Sequence, residues 1–301
     1  MSPPGTSSGP ALLAGLGVHA TETRRRVDGV ALHAVEAGPE DGPLVILLHG
    51  FPEFWWGWRR QIGPLARAGF RVVAPDQRGY GTSDKPAGLR AYELDLLAAD
   101  VAGLVEAHGR SRAHLVGHDW GGLVAWWAAS RHPDRVDRLA VLNAPHPAVA
   151  GRYARRHPSQ MLKSWYIAFF QLPRLPEAVL ARSDHALLAR TLLDSSRPGT
   201  FTAADLEAYK ASWREPGALT AALNWYRALP RRPALPQPRV SAPTLVLWGV
   251  RDRFLEVGLA EASLALCDAG RLVRLDRASH WLHLEEAARV NDELIAFFRP
   301  R

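Results

Sequence analysis

The chain has 301 residues, 47% of them hydrophobic, with 37 Lys+Arg against 30 Asp+Glu for a formal charge of +7. That length supports one α/β core with a sizeable insertion or two small domains, and the arginines are scattered among acids as on a solvated surface, where a nucleic-acid binder would more often cluster them on one element. A single cysteine, Cys267, excludes an internal disulfide framework, and no apolar run approaches the ~20 residues that span a bilayer.

The N-terminal MSPPGTSSGP carries no Lys or Arg and precedes only a short, glycine-broken apolar run, so it does not read as a signal peptide. The expectation is a cytoplasmic protein with neither membrane nor nucleic-acid partner, disordered over residues 1–16. Residues 18–26 and 29–37 read as strands joined at Asp28-Gly29, a strong hairpin signal. PLVILLHG (43–50) is a continuous apolar run, as in a strand buried on both faces of a parallel sheet. Helical spacing over 57–69 precedes a strand FRVVAPD (70–76). LDLLAADVAGLVEAHG (94–109) is an amphipathic helix that ends at Gly109. A strand AHLVGH (113–118), a helix GGLVAWWAASRH (121–132) and a strand VDRLAVLNAP (136–145) follow.

Residues 147–236 then show helical periodicity and no strand, with PEAVLARSDHALLARTLLDSS read as helix and Thr202 with Asp205 as a capping box. After a proline-rich return (231–243) come a strand TLVLWGV (244–250), a helix-like stretch holding Cys267 as a buried thiol, a strand RLVRLD (271–276) and a last helix over 283–299. The pattern predicts a mostly parallel, doubly wound sheet with an inserted all-helical cap. The expected division is a first core part over 1–146, a cap over 147–236 and a second core part over 237–301.

Gly117-His118-Asp119-Trp120-Gly121 falls where a strand meets a helix. Small residues on both sides let the chain turn sharply and lift the middle side chain above the sheet, as a nucleophile elbow requires; the bland alternative is a helix-capping Asp. An acid and a histidine follow in the order this geometry uses. Asp252 follows TLVLWGV, and His280 follows RLVRLD, each at the carboxyl end of a predicted parallel strand. His283 is a rival base, but its place at a helix start points to capping or solvent. Asn143 and Ala144 stand where a variant acid would lie, so Asp252 has no competitor. In His49-Gly50-Phe51-Pro52-Glu53 the Phe51 N–H, with that of Trp120, supplies an oxyanion hole; trans is the ordinary state of the Phe51-Pro52 bond.

A carboxylate, with an ordinary pKa near ~4, is ionised at neutral pH without help from a base. It can displace a leaving group at an sp³ carbon and form an alkyl–enzyme ester. His280, oriented by Asp252, is then free to activate the water that hydrolyses that ester. Epoxides and carbon–halogen bonds are the suitable electrophiles. An opening epoxide needs a proton donor, and Tyr166 and Tyr226 in the predicted cap could serve; aromatics at helical spacing equally suit core packing.

With HGFPE, GHDWGG, WY…FFQLP, LNWYR and SHW in place, the chain resembles the epoxide hydrolase family of the α/β-hydrolase fold over about residues 18–300. The resemblance implies that Tyr166 and Tyr226 donate to the epoxide oxygen and that Glu53 helps hold the hydrolytic water. It also implies that Phe51, Trp120, Trp225 and Trp281 line an apolar pocket. The implied partners are a hydrophobic epoxide and water, with no metal or cofactor; a homo-oligomer is compatible. Trp126, Trp127 and Trp248 read as packing, and Gly79–Asp84 as a structural turn. A haloalkane dehalogenase shares GHDWG, but would hold halide with N–H donors that Phe51 lacks. A non-catalytic receptor of this fold would have lost a site residue, and none is missing.

Overall fold

The continuous apolar runs become the centre of the sheet, because strands covered by helices on both faces have no solvent side to leave polar. The structure, a computed structural model, describes residues 9–231 and 238–299. Eight strands form one sheet: β1 (Ala20–Val27), β2 (Val30–Ala37), β3 (Leu44–Leu48), β4 (Arg71–Pro75), β5 (Ala113–His118), β6 (Val136–Leu142), β7 (Thr244–Gly249) and β8 (Gly270–Leu275). Their order is β1-β2-β4-β3-β5-β6-β7-β8, with β2 antiparallel to both of its neighbours, β1 and β4, and the other pairings parallel. Every residue of β3, β5 and β7 is buried, as their composition predicts. Asp28 and Gly29 both take positive φ in the β1–β2 turn, which fits the tight hairpin read from Asp-Gly.

Helices α1 (Gly9–Ala14), α2 (Ile62–Arg67), α3 (Leu94–Ala107) and α4 (Trp120–Arg131) belong to the first part of the chain. The predicted disorder over 1–16 is thus corrected for Gly9–Ala14; residues 1–8 lie outside the described residues. Trp126, Trp127 and Trp248 are fully buried, as packing residues should be. The Gly79–Asp84 segment is a turn, closed by Tyr80 N–H to Gln77 O at 2.9 Å and Ser83 N–H to Tyr80 O at 3.0 Å.

Between β6 and β7 the chain forms α5 (Pro147–Arg156), α6 (Pro158–Lys163), α7 (Trp165–Phe170), α8 (Leu175–Ser195), α9 (Ala203–Arg214) and α10 (Ala218–Ala228). The Thr202 capping box of α9 is present in both directions: Asp205 N–H donates to Thr202 Oγ1 at 3.1 Å and Thr202 N–H to Asp205 Oδ2 at 2.9 Å. The helix expected over PEAVLARSDHALLARTLLDSS is broken at Arg182–His185, where Ser183, Asp184 and His185 have positive φ. The expected boundary between 236 and 237 lies outside the described residues. The chain then adds α11 (Gly258–Leu264), α12 (Leu282–Glu285) and α13 (Ala287–Phe298), so the last predicted helix is interrupted at Glu286. Cys267 lies beyond α11 in a short bridge to Val240 and is only half-buried, which corrects its placement in a helix. Among the described residues no helix is long and apolar enough to cross a membrane.

Candidate active site

β3 and β5 are neighbours, and their connections leave in opposite directions along the sheet, which opens a crevice at their carboxyl ends. Asp119 stands there between β5 and α4, with φ 50° and ψ −120°. A non-glycine residue held so far from the common basins costs about 1–3 kcal/mol, and that strain is stored where the turn is sharpest. Two glycines make the turn possible. A Cβ on Gly117 would lie 2.3 Å from Gly121 O, and one on Gly121 would lie 2.1 Å from Leu48 O, so α4 begins directly against the backbone of β3. Asp119 Oδ1 accepts a hydrogen bond from the Phe51 N–H at 2.9 Å. Trp120 opens α4, where first-turn N–H groups have no partner within the helix. The Phe51-Pro52 peptide is cis rather than the trans form that sequence alone favours.

His280 reaches the same carboxylate from the loop after β8. Its Nε2 is 3.6 Å from Asp119 Oδ2, and its Nδ1 is 2.7 Å from Asp252 Oδ2. Asp252 is held in turn: its Oδ1 accepts the N–H groups of Phe254 at 2.7 Å and Leu255 at 3.0 Å. Burial alone would push the His280 pKa down, but the charge and hydrogen bond of Asp252 and the charge of Asp119 outweigh it and raise the value to about 9. Burial likewise opposes the Asp252 charge, yet His280, the Phe254 N–H and Asn143 hold that carboxyl below its ordinary value.

Asn143 carries no signal in the sequence beyond standing where a variant acid would lie. It lies at the end of β6 with φ 41°, donates from Nδ2 to Asp252 Oδ2, and accepts the Gly249 N–H on Oδ1 at 2.7 Å. It therefore ties the acid to the end of β7. Asn143→Ala should slow a step that depends on His280 orientation about tenfold, the cost of one hydrogen bond to a charged group. A step that uses Asp119 alone should change little. Single-turnover kinetics that resolve the two steps will check this, and equal slowing of both would contradict it.

Behind Asp119, His280 and Asp252 lies a buried polar cluster. His118 Nδ1 is 2.9 Å from Glu53 Oε2 and its Nε2 is 2.9 Å from the His280 carbonyl. Each ring nitrogen of His118 thus faces an oxygen, which fixes the orientation of the ring between Glu53 and the His280 backbone. Tyr209 donates to Glu53 Oε1 at 3.1 Å, and His283 Nε2 lies 3.4 Å from that atom. Burial works against the Glu53 charge, but His283 and His118 together hold the carboxyl well below its ordinary value. His283 is fully buried and not a helix cap or a solvent-facing residue; burial, reinforced by the charge of His118, lowers its pKa to about 4. Glu53, His118 and His283 could together hold a metal, their ligand atoms lying within 4.8 Å of one another. Tyr209 and His118 already occupy the Glu53 carboxylate.

Asp119 and His280 open onto a cavity of about 590 Å³, walled mainly by Phe51, Tyr166, Phe170, Tyr226, Phe254 and Trp281. The structure thus brings Asp119, His280, Tyr166, Tyr226, Phe51 and Trp281 to one space, with Asp252 behind His280. Burial, with the charge of Asp119 adding to it, raises the pKa of Tyr166, and burial raises that of Tyr226 well above 10. Three expected residues do not line the cavity. Trp225 follows one step before Tyr226 on α10, about 100° round the helix, and its ring turns away to Tyr80 while its Nε1–H donates to Arg78 O at 3.2 Å. The Trp120 ring sits edge-on behind Tyr226, at 4.8 Å between centroids. Glu53 is buried away from the lining, its carboxylate bonded to His118 and Tyr209 and lying beside His283.

The family described as alpha/beta hydrolase fold matches residues 43–287. YfhM of Bacillus subtilis, an AB hydrolase superfamily protein, is 47% identical over 90% of this chain and 96% of its own length. Human Epoxide hydrolase 4 is 40% identical over 99% of this chain and 82% of its own. The crystal structure of Epoxide Hydrolase A from Mycobacterium thermoresistibile superposes with a TM-score of 0.82 at 34% identity, covering 93% of this chain and 98% of that one. An epoxide hydrolase from Bacillus megaterium in complex with an inhibitor gives 0.84 at 32% identity, covering 91% and 99%.

Proposed function

The chain belongs to the epoxide hydrolases of the α/β-hydrolase fold, and we propose that it converts hydrophobic epoxides to vicinal diols through an ester on Asp119. The observation that carries this is the pairing of an elbow carboxylate with two phenols across one apolar cavity, with His280 Nε2 3.6 Å from Asp119 Oδ2.

Oδ1 is engaged by the Phe51 N–H, which leaves Oδ2 to attack an epoxide carbon. The ring C–O bond breaks and the departing oxygen takes a proton from Tyr166 or Tyr226. Water, losing a proton to His280, then adds to the ester carbonyl. The negative charge that develops on Oδ1 is met by the Phe51 and Trp120 N–H groups. Collapse releases the diol and restores the carboxylate, and the proton on His280 returns to the tyrosine through solvent or product. Glu53 and His118 support His280 from behind rather than touching substrate. The helices α5–α10 act as a cap that closes the apolar space.

A dehalogenase reading needs N–H donors facing the cavity. Trp281, which lines it, has its indole N–H committed to Ser195 Oγ at 2.8 Å, and Phe51 has no side-chain donor. Both features favour an oxygen that receives a proton over a departing halide.

The test is a single turnover with enzyme in excess in ¹⁸O water. The first diol should contain unlabelled oxygen drawn from Asp119, and the label should appear in the enzyme. Label in the first diol would show direct attack by water and end the covalent mechanism.

A further inference from the structure

We propose that the rim of the cavity is a docking surface for an anionic lipid bilayer, from which lipophilic substrate enters the site. Seven of the nine exposed large hydrophobic side chains among the described residues fall between Met161 and Leu193, so the exposure is concentrated on one part of the insertion. Single exposed leucines are ordinary, whereas a cluster of this kind marks a contact surface. Three of the seven, Leu162 at 72%, Trp165 at 66% and Leu187 at 46% exposed, also line the cavity that holds Asp119. Exposed apolar side chains therefore share one cavity wall with Asp119, and Lys163 and Arg253 bring cationic side chains to that wall.

The charge around it selects the partner. Residues 147–196 carry seven Arg or Lys and three Asp or Glu, a net of +4 out of the chain's formal +7. All three acids are already paired: Glu177 with Arg227, Asp184 with Lys210 and Arg214, and Asp194 with Arg190. Arg152, Arg155, Arg156, Lys163, Arg174 and Arg182 have no carboxylate within ion-pair distance among the described residues. Nearby Glu256 accepts from the Tyr153 hydroxyl at 3.3 Å and is in no ion pair among the described residues. A second copy of the chain pressed onto this surface would bring like charges together. An anionic bilayer offers the opposite charge, a hydrocarbon layer for leucines and an interfacial layer suited to Trp165. Among the described residues no helix is long and apolar enough to cross a membrane, and contact at the bilayer surface needs none.

The route for substrate rests on the epoxide hydrolase reading; the docking does not, and the experiment separates them. The full chain is sedimented with vesicles of phosphatidylcholine alone and of phosphatidylcholine mixed with phosphatidylglycerol. Wild type should pellet with the mixed vesicles and lose binding as salt is added. Arg155→Glu/Arg156→Glu should bind them about 25-fold more weakly or worse, taking about fivefold per basic residue near the surface. Its turnover of a water-soluble epoxide should equal wild type, which also shows that it folds. Leu162→Ser should weaken vesicle binding about tenfold by removing one inserted leucine. Equal pelleting with both vesicle types, no pelleting with either, or a concentration-dependent dimer that Leu162→Ser abolishes would each overturn the proposal.

Discussion

His280→Gln is expected to consume one equivalent of epoxide and then stop. Ester formation uses the Asp119 carboxylate and a phenolic proton, neither of which requires His280. Hydrolysis requires removal of a proton from water, and a general base is worth about 10²–10⁴ in rate. Because this base also sits on the buried Asp252 carboxylate, at 2.7 Å, its loss should fall at the upper end, near ~10⁴. The peptide containing Asp119 should carry the mass of the epoxide. Turnover at the wild-type rate, or a variant with no adduct, would remove His280 from the second step. The pH behaviour follows with a definite sign. In the free enzyme the His280 pKa is raised to about 9 against the effect of burial, by Asp252 and in part by the charge on Asp119. The proton is therefore held below that pH and lost above it. Esterification neutralises Asp119 and removes one of the causes that raise the value. Decay of the ester in single turnovers should thus accelerate through a midpoint below about 9, while a midpoint at or above it would contradict this origin of the shift.

Asp119 and Asp252 were legible because each follows a run whose composition marks a buried strand, and His280 because it follows the strand pattern RLVRLD and completes the chain order expected of a nucleophile, an acid and a base. The helical insertion was legible for the same reason, as the change from alternating to purely helical periodicity at residue 147. What escaped has no local signature. Asn143 looks like any residue ending a strand, and its role exists only because β6 and β7 are neighbours, which puts Gly249 and Asp252 within its reach. Glu53, His118 and His283 are joined solely by the fold, so the sequence placed His283 at a solvent-facing helix start. The break at Arg182–His185 carries no proline or glycine to announce it. Trp225 and Tyr226 show the limit of pattern: neighbours on a helix diverge by about 100°, and only the packing decides which one meets the cavity.

The double variant Tyr166→Phe/Tyr226→Phe should lose alkylation almost entirely. As the epoxide opens, charge builds on its oxygen, so donors there act in the transition state and not on the resting substrate. Removing one donor to a developing oxyanion costs roughly 3 kcal/mol, about a hundredfold in rate. Each single variant should fall by that amount or somewhat less, because the remaining phenol still reaches the oxygen. With both removed the losses compound toward ~10⁴. Burial, aided by nearby Asp119, keeps both pKa values above the ordinary phenol value, so each group carries its proton throughout the working pH range. Packing should survive the change, since Phe keeps the ring that Tyr226 presents to Phe51 at 5.4 Å and to Phe170 at 4.9 Å. Hydrolysis of an ester already formed should be nearly unaffected, because the charge in that step gathers on Asp119 and not on the substrate oxygen. Displacement of a halide needs no proton, so a dehalogenase would show little change in the same variants. The measurement is the pre-steady-state rate of alkylation by an aryl epoxide in the wild type, both single variants and the double variant. Alkylation by the double variant at the wild-type rate would make the two tyrosines wall residues, and the preference for epoxides over halides would lose its chemical basis.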